Sequence, residues 1–324
     1  MSTILVTGGA GFIGSHVSKK LIEQGHEVVI VDSFNEFYSP RLKEARIKIL
    51  LKGLKFKLYR VDIADFDALA KVFAENKIDK VIHLAAQAGV LYSLKHPESY
   101  GLSNLTGTLN LLRLAEKYKI KSFVFASSSS VYGLNTDFPL KENYKTDTPI
   151  SLYAATKIAG EAMVHVNSYL HGVKTTCLRF FNVYGPWMRP DAAMYIFAKK
   201  IRAREPINVY NFGKSRKDFT YIDDIVSGVV AALDLEHDYE IINLGNSRPI
   251  ELMSYIEQIE KALGYTAEKN YLPLISGDVP VSHADITKAK KLLKYDPKTK
   301  IEQGIPNFVK WYLEFEDELA LADM

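Results

Sequence analysis

The chain has 324 residues with 41 basic and 38 acidic side chains, a net charge of +3, and 47% hydrophobic content. That balance excludes disorder as the dominant state and advertises no basic face, so no nucleic-acid partner is expected. Its single cysteine, Cys177, excludes a disulfide framework and a thiolate metal cluster; no metal, no membrane span and no secretion signal are expected, and the default setting is cytoplasmic.

Thr3–Thr7 reads as a buried strand, the glycines after it as a turn, and Phe12–Glu23 as a helix closed by Gly25-His26. Glu27–Asp32 reads as a second strand. Further apolar runs follow at Lys57–Val61, Lys80–Leu84, Ser122–Ala126, Thr176–Phe180 and, much later, Ile241–Leu244, with helical patterns at Leu105–Tyr118 and Tyr153–Leu170. Near-continuous apolar strands alternating with helices predict a parallel sheet covered on both faces. After Phe180 the chain becomes irregular at Gly185-Pro186 and Arg189-Pro190. The expected organisation is a nucleotide-binding domain over residues 1–180, to which 217–246 returns, and a smaller domain over 181–324 that completes a cleft.

Gly8-Gly9-Ala10-Gly11-Phe12-Ile13-Gly14 lies between the first strand and first helix. Glycine permits the tight turn and close approach of a diphosphate, and the helix start offers free N–H groups to it. An acid, Asp32, closes the second strand, as required of a group that accepts from ribose hydroxyls. A carboxylate there repels a 2′-phosphate and favours NAD over NADP. Asp62 and Ile63, after the third strand, are expected beside the adenine, although an exposed turn acid reads similarly. Leu84, Ala85, Ala86 and Gln87 form a strand end with side chains small enough for a dinucleotide to pass.

Tyr153 and Lys157 stand at i and i+4 near the start of a helix, so both lie on one face. A phenol titrates near ~10, and a neighbouring ammonium favours its phenolate, which makes Tyr153 a candidate proton shuttle tuned by Lys157. A chance surface pair has the same spacing. Ser127-Ser128-Ser129-Ser130 follows the fifth strand directly, where hydroxyls face the crevice of a parallel sheet, and a flexible serine loop is the plainer alternative.

Taken together, the glycine motif, Ser128, Tyr153 and Lys157 resemble the extended short-chain dehydrogenase/reductase family acting on nucleotide sugars. Within it the chain is most similar to bacterial UDP-glucuronate 4-epimerases, through Asp32-Ser33-Phe34-Asn35 with Tyr38–Leu42, Ala85–Val90, Leu178–Trp187, Asp218–Asp224 and Gly277–Pro280. The resemblance covers essentially the whole chain. It implies a Rossmann-type doubly wound parallel sheet with a smaller C-terminal α/β substrate-binding domain, NAD as cofactor, and a homodimer built on a four-helix bundle. Ser33, Asn35, Asn104 and Phe180 are then cofactor contacts, with Asn104 at the nicotinamide end. Tyr153 takes the proton of the sugar 4-hydroxyl, Ser128 relays it, and the 4-keto sugar turns over before hydride returns.

The resemblance also implies the substrate. Dehydratases and UDP-glucuronate decarboxylases of this group usually place Asp or Glu at one or both positions where Ser129 and Ser130 stand, so the serines favour simple epimerisation and are expected to hold the carboxylate of UDP-glucuronate. Asn182, Arg189, Arg216, Lys217, Asp278 and Ser282 are expected to contact the nucleotide sugar, with Asn208, Val209 and Tyr210 supporting the uracil. Asn182 replaces a threonine usual in glucuronate-specific relatives, Leu91 replaces an arginine, and Lys217 stands for a diphosphate-binding arginine. A small Ser282 leaves room for an N-acetyl group. UDP-GlcNAc or UDP-glucose therefore stays open as substrate, as do UDP-glucuronate decarboxylation, a dehydrogenase with exchangeable NAD, and a non-catalytic NAD sensor.

Overall fold

The computed structural model describes residues 1–316; the last eight positions of the expected second domain, 317–324, lie outside the described residues. The chain order is β1 (Thr3–Thr7), α1 (Phe12–Glu23), β2 (Glu27–Asp32), α2 (Pro40–Ala45) running into a π-type turn (Arg46–Leu50), β3 (Lys57–Arg60), α3 (Phe66–Glu75), β4 (Lys80–His83), α4 (Val90–Lys95), α5 (Pro97–Tyr100), a second wide turn (Gly101–Thr106), α6 (Gly107–Lys117), β5 (Ser122–Ser128), α7 (Leu152–His171) and β6 (Lys174–Phe180). Beyond these come β7 (Asn182–Tyr184), α8 (Ala193–Arg202), β8 (Ile207–Val209), β9 (Arg216–Tyr221), α9 (Ile222–Ala232), β10 (Tyr239–Leu244), β11 (Pro249–Glu251), α10 (Leu252–Leu263), β12 (Lys269–Tyr271), α11 (Thr287–Leu293) and α12 (Ile301–Glu314).

Seven strands form one sheet in the order β3-β2-β1-β4-β5-β6-β10, and every pairing is parallel. Strand periodicity explains why the runs are apolar throughout. Ile4 and Val6 enter the core shared with Val17, Leu21, Ile225 and Val229, while Leu5 enters the core shared with Leu69, Phe73, Leu111 and Val164. Each fully buried Leu or Ile contributes roughly 1.5–3 kcal/mol, so both sheet faces must be covered. The order of strand addition reverses between β1 and β4, β2 and β3 being laid on one side and β4, β5 and β6 on the other, which opens a crevice at their C-terminal ends.

A smaller sheet, β11-β9-β7, and the β8–β12 pair stand beyond that crevice. Phe219 stacks on Tyr255 at 3.8 Å, and Tyr195 packs edge-on against Tyr312, joining β9, α8, α10 and α12. Among the described residues no helix is long and apolar enough to cross a membrane.

Most element boundaries fall within one or two residues of expectation, and two of the differences bear on the site. β5 runs on to Ser128 because Ser127 and Ser128 pair with Arg179 and Phe180 of β6. The helix expected at Leu105 begins at Gly101 as a wide turn, with Asn104 buried on it.

Candidate active site

The crevice is a cleft of about 470 Å³ whose walls come from the C-terminal ends of β1, β2, β4, β5 and β6. At its floor Gly8 adopts φ +67, and a Cβ there meets Ala85 N at 2.7 Å. At Gly14 a Cβ falls 2.1 Å from Gly8 O, so α1 packs on its own preceding turn only because that position is bare. Gly11 caps α1 without a side chain, leaving the first-turn N–H groups of Phe12 and Ile13 facing the cleft. Asp32 Oδ2 accepts from Ala10 N at 3.1 Å and Oδ1 from Phe34 N at 2.9 Å. Ser33 and Asn35 line the same end, as do Asp62 and Ile63, although Asp62 also accepts from Ala64 N at 2.9 Å in a turn of its own. Leu84, Ala85, Ala86 and Gln87 form the opposite wall.

Asn104 departs from its expected contact at the nicotinamide end. It is buried, does not line the cleft, and uses both amide ends to clamp the wall from behind. Its Oδ1 accepts from Gln87 N at 2.8 Å, while Nδ2 donates to Gln87 O at 3.1 Å and Thr156 Oγ1 at 2.9 Å.

At the reacting end Ser151 caps α7, its hydroxyl accepting from Ala154 N at 3.1 Å, and this cap aims the first turn of α7 at the cleft. Tyr153, Lys157, Ser128 and Phe180 all line it. Lys157 is buried and donates to Ala126 O at 2.7 Å, with its Nζ 5.9 Å from the Tyr153 ring centroid. Burial pulls the ammonium down to about 8, against the opposing pull of Glu161. The Tyr153 phenol is pushed above its ordinary value by burial, and Ser128 and Arg189 draw it back. Lys157 thus stands beside the phenol with its ammonium held by a strand carbonyl, and the Ser128 hydroxyl and the Arg189 guanidinium add to the groups that favour the phenolate. Ser128 Oγ donates to Ser130 Oγ at 3.2 Å. Ser129 and Ser130 open a short turn beyond the strand, half-buried and outside the cleft walls.

On the sugar side the cleft includes Asn182 and Arg189. Arg189 Nε lies 3.1 Å from Asp191 Oδ1, so part of its charge is spent within its own loop. Asn182 Nδ2 donates to Ser282 Oγ at 3.0 Å, and that hydroxyl also accepts from Asp218 N at 3.0 Å. Ser282 is buried and both contacts occupy its oxygen, so it anchors Asn182 and does not border the pocket whose width it was expected to set. Lys217 donates to Asp278 Oδ1 at 2.8 Å, and Arg216 is exposed. Asn208 and Tyr210 are exposed on the β8 edge, whereas Val209 is wholly buried and has only its backbone to offer. None of Asn208, Val209, Tyr210, Arg216, Lys217 and Asp278 borders the 470 Å³ cleft.

The model of the NAD dependent epimerase/dehydratase family matches residues 4–245. The chain belongs to that family. It is 44% identical over 315 residues to the UDP-glucuronate 4-epimerase of Thermodesulfobacterium geofontis, with 97% of each chain covered. Among solved structures it is similar to UDP-glucuronic acid 4-epimerase from Bacillus cereus, in complex with UDP-glucuronic acid and NAD, at a TM-score of 0.91 and 35% identity, covering 97% of this chain and 99% of that one. UDP-glucose 4-epimerase from Thermotoga maritima, with UDP-glucose, follows at a TM-score of 0.87 and 32% identity, with 97% and 99% covered.

In this member of the epimerase/dehydratase family, the sequence reading missed two buried ionic groups that shape the site. Lys43 donates to Asn35 Oδ1 at 2.9 Å and lies 3.6 Å from Asp32 Oδ1, with burial lowering its pKa. Glu161 is gripped by Arg179 through two bonds of 2.8 and 2.7 Å, and accepts from Ser127 Oγ at 2.5 Å. Glu161 follows Lys157 by one helical turn, a signal present in the sequence. Arg179 sits within an apolar strand, where a charged residue calls for a partner.

Proposed function

We propose that this chain catalyses NAD-dependent 4-epimerisation of a UDP-sugar, converting UDP-glucuronate to UDP-galacturonate. The observation that carries the reading is the chemistry around Ser128. The turn beyond it offers hydroxyls where decarboxylation or dehydration would need a carboxylate, and the nearby acid Glu161 is engaged by Arg179 and Ser127. The named relatives from Thermodesulfobacterium and Bacillus support the acidic sugar.

The residues fit the cofactor. The bare cradle of Gly8, Gly11 and Gly14 with the N–H groups of Phe12 and Ile13 suits its diphosphate, and Asp32, Ser33 and Asn35 suit a ribose without 2′-phosphate. Asp62 and Ile63 suit the adenine, while Leu84–Gln87, Tyr153, Lys157 and Phe180 suit the nicotinamide half. Bound NAD supplies a reversible hydride acceptor for carbon 4. Tyr153, as phenolate, takes the 4-hydroxyl proton directly or through Ser128, and returns it to the same oxygen after the 4-keto sugar has turned its other face to the returning hydride. Lys157 and Arg189 stabilise the phenolate electrostatically. Oxidation at carbon 4 makes a β-keto acid, so the enzyme must keep the carboxylate bond out of line with the carbonyl π-system. In this reading the Ser129 and Ser130 hydroxyls, on the half-buried turn that follows Ser128, donate to that carboxylate once the substrate is bound. Lys217 with Asp278, Arg216 and the β8 edge form the nucleotide-binding rim.

The division into a cofactor unit (1–180 with 217–246) and a sugar-binding unit (181–324) belongs to this reading. So does a homodimer through α6 and α7, whose outer faces expose Leu109 (49%), Val166 (53%), Tyr169 (82%) and Leu170 (63%). A cytoplasmic setting fits the single, buried thiol of Cys177. UDP-glucose or UDP-GlcNAc is the second reading, favoured by Asn182 held in a neutral hydrogen-bonded frame. Incubating the protein with UDP-glucuronate and no reductant, then resolving products by NMR, tests the proposal. UDP-galacturonate without pentose supports it, UDP-xylose makes the protein a decarboxylase, and no conversion moves the assignment to the neutral sugars.

A further inference from the structure

Arg46 is wholly buried at the start of the turn that follows α2, and its hydrogen bonds go to neutral oxygens. Nε and Nη2 both donate to Trp187 O, at 3.0 and 2.8 Å. Nη1 donates to Ala10 O at 3.1 Å and to Tyr38 Oη at 2.6 Å. Stability alone does not call for this arrangement, since a buried cation without a carboxylate is costly and an apolar side chain of equal volume fills the space more cheaply.

Both acceptor carbonyls belong to segments that build the cleft. Ala10 is the centre of the glycine loop, and its own N–H donates to Asp32, so Arg46 and Asp32 fix its two peptide groups from opposite ends. Trp187 holds the left-handed φ of +66, a strained conformation for a bulky residue, with its ring against Trp311 and Phe315. Two residues later the same loop delivers Arg189 to the cleft. The charge of Arg46 also reaches the first turns of α1, where it joins burial in holding His16 neutral, with a pKa of about 4.

We infer that Arg46 is a positioning residue whose guanidinium fastens the dinucleotide loop to the loop bearing Arg189, so that cofactor retention and sugar binding depend on one buried fork. The inference rests on the function proposed above for the sugar half of the site. Lysine keeps the charge but cannot span both carbonyls in a plane, so it does not replace the fork.

The test compares Arg46→Lys, Arg46→Met and the milder Tyr38→Phe with the parent protein, by NAD and UDP titration calorimetry, steady-state kinetics on UDP-glucuronate, and thermal melting. For Arg46→Lys the expected result is a rise of about tenfold in both the NAD Kd and the sugar KM, with kcat within about threefold. Tyr38→Phe moves the same two constants by about threefold. A folded Arg46 variant that melts earlier but keeps the parental NAD Kd and KM overturns the inference, because Arg46 is then structural only. A change in one constant without the other overturns the coupling. If the Arg46 variants do not fold, Tyr38→Phe decides alone, and unchanged constants in it count as refutation. Should the parent not turn over UDP-glucuronate, the functional reading fails, while the NAD and UDP titrations still judge Arg46.

Discussion

Replacing Lys157 by methionine should cut activity by orders of magnitude and yet make the protein more stable at neutral pH. The ammonium is buried, and its pKa falls from 10.5 to about 8. At about 1.4 kcal/mol per pKa unit, the unfavourable burial of that charge amounts to at most about 3 kcal/mol. Methionine has similar length and no charge, but it gives up the 2.7 Å bond to Ala126 O, a loss of about 1 kcal/mol. The net gain expected at pH 7 is therefore about 1–2 kcal/mol, or about 1.5–3 °C in Tm. Between about pH 8 and 10.5 the unfolded lysine still binds its proton while the folded one has released it. Unfolding then takes up a proton, so the parent gains stability as pH rises and the advantage of the variant disappears towards pH 10.5. Groups remote from Lys157, Lys43 among them, titrate in both proteins and cancel in the difference. Thermal and urea unfolding across pH 7 to 11, with epimerase rates alongside, measure both halves of the claim. A variant no more stable than the parent at pH 7, or a difference flat from pH 8 upward, would refute the reasoning. Activity should fall by about 10²–10⁴-fold.

Substituting Ser129→Ala together with Ser130→Ala should raise the fraction of pentose by-product, because fewer donors then hold the carboxylate out of alignment with the carbon-4 carbonyl; an unchanged product ratio by NMR removes these serines from that role. Gly14→Ala puts a Cβ 2.1 Å from Gly8 O, and the displaced loop should weaken NAD binding by about tenfold, read by calorimetry. Asp32→Ser removes the acceptor for Ala10 N and Phe34 N, lowering stability by about 1–3 kcal/mol. It also leaves Lys43 to meet a 2′-phosphate, so the NAD to NADP preference should shift by about tenfold towards NADP in competitive binding.

The cofactor half of the site was legible because its signals are short-range. A bare Gly8 and Gly14 around a turn, an acid at the end of β2, and Tyr153 one helical turn from Lys157 are all specified within a few residues by strand, turn and helix geometry. Those residues do line one cleft. The sugar half was less legible. Ser282 and Asn182 are 100 positions apart, and nothing in the local pattern says that the serine's oxygen is consumed by the asparagine amide and by Asp218 N.

By itself the sequence determined the alternation of buried strands and covering helices, hence the parallel sheet, a crevice at its C-terminal edge, and the residue types at the crevice rim. Only the tertiary structure decided where buried polar groups point. Lys157 faces Ala126 O, Asn104 clamps Gln87, Glu161 pairs with Arg179, and Arg46 joins Ala10 to Trp187 across 36 and 141 positions. The physical reason is one of range. Apolar periodicity and turn chemistry act over a few residues, whereas a buried donor takes whichever acceptor the packing of distant elements brings within about 3 Å.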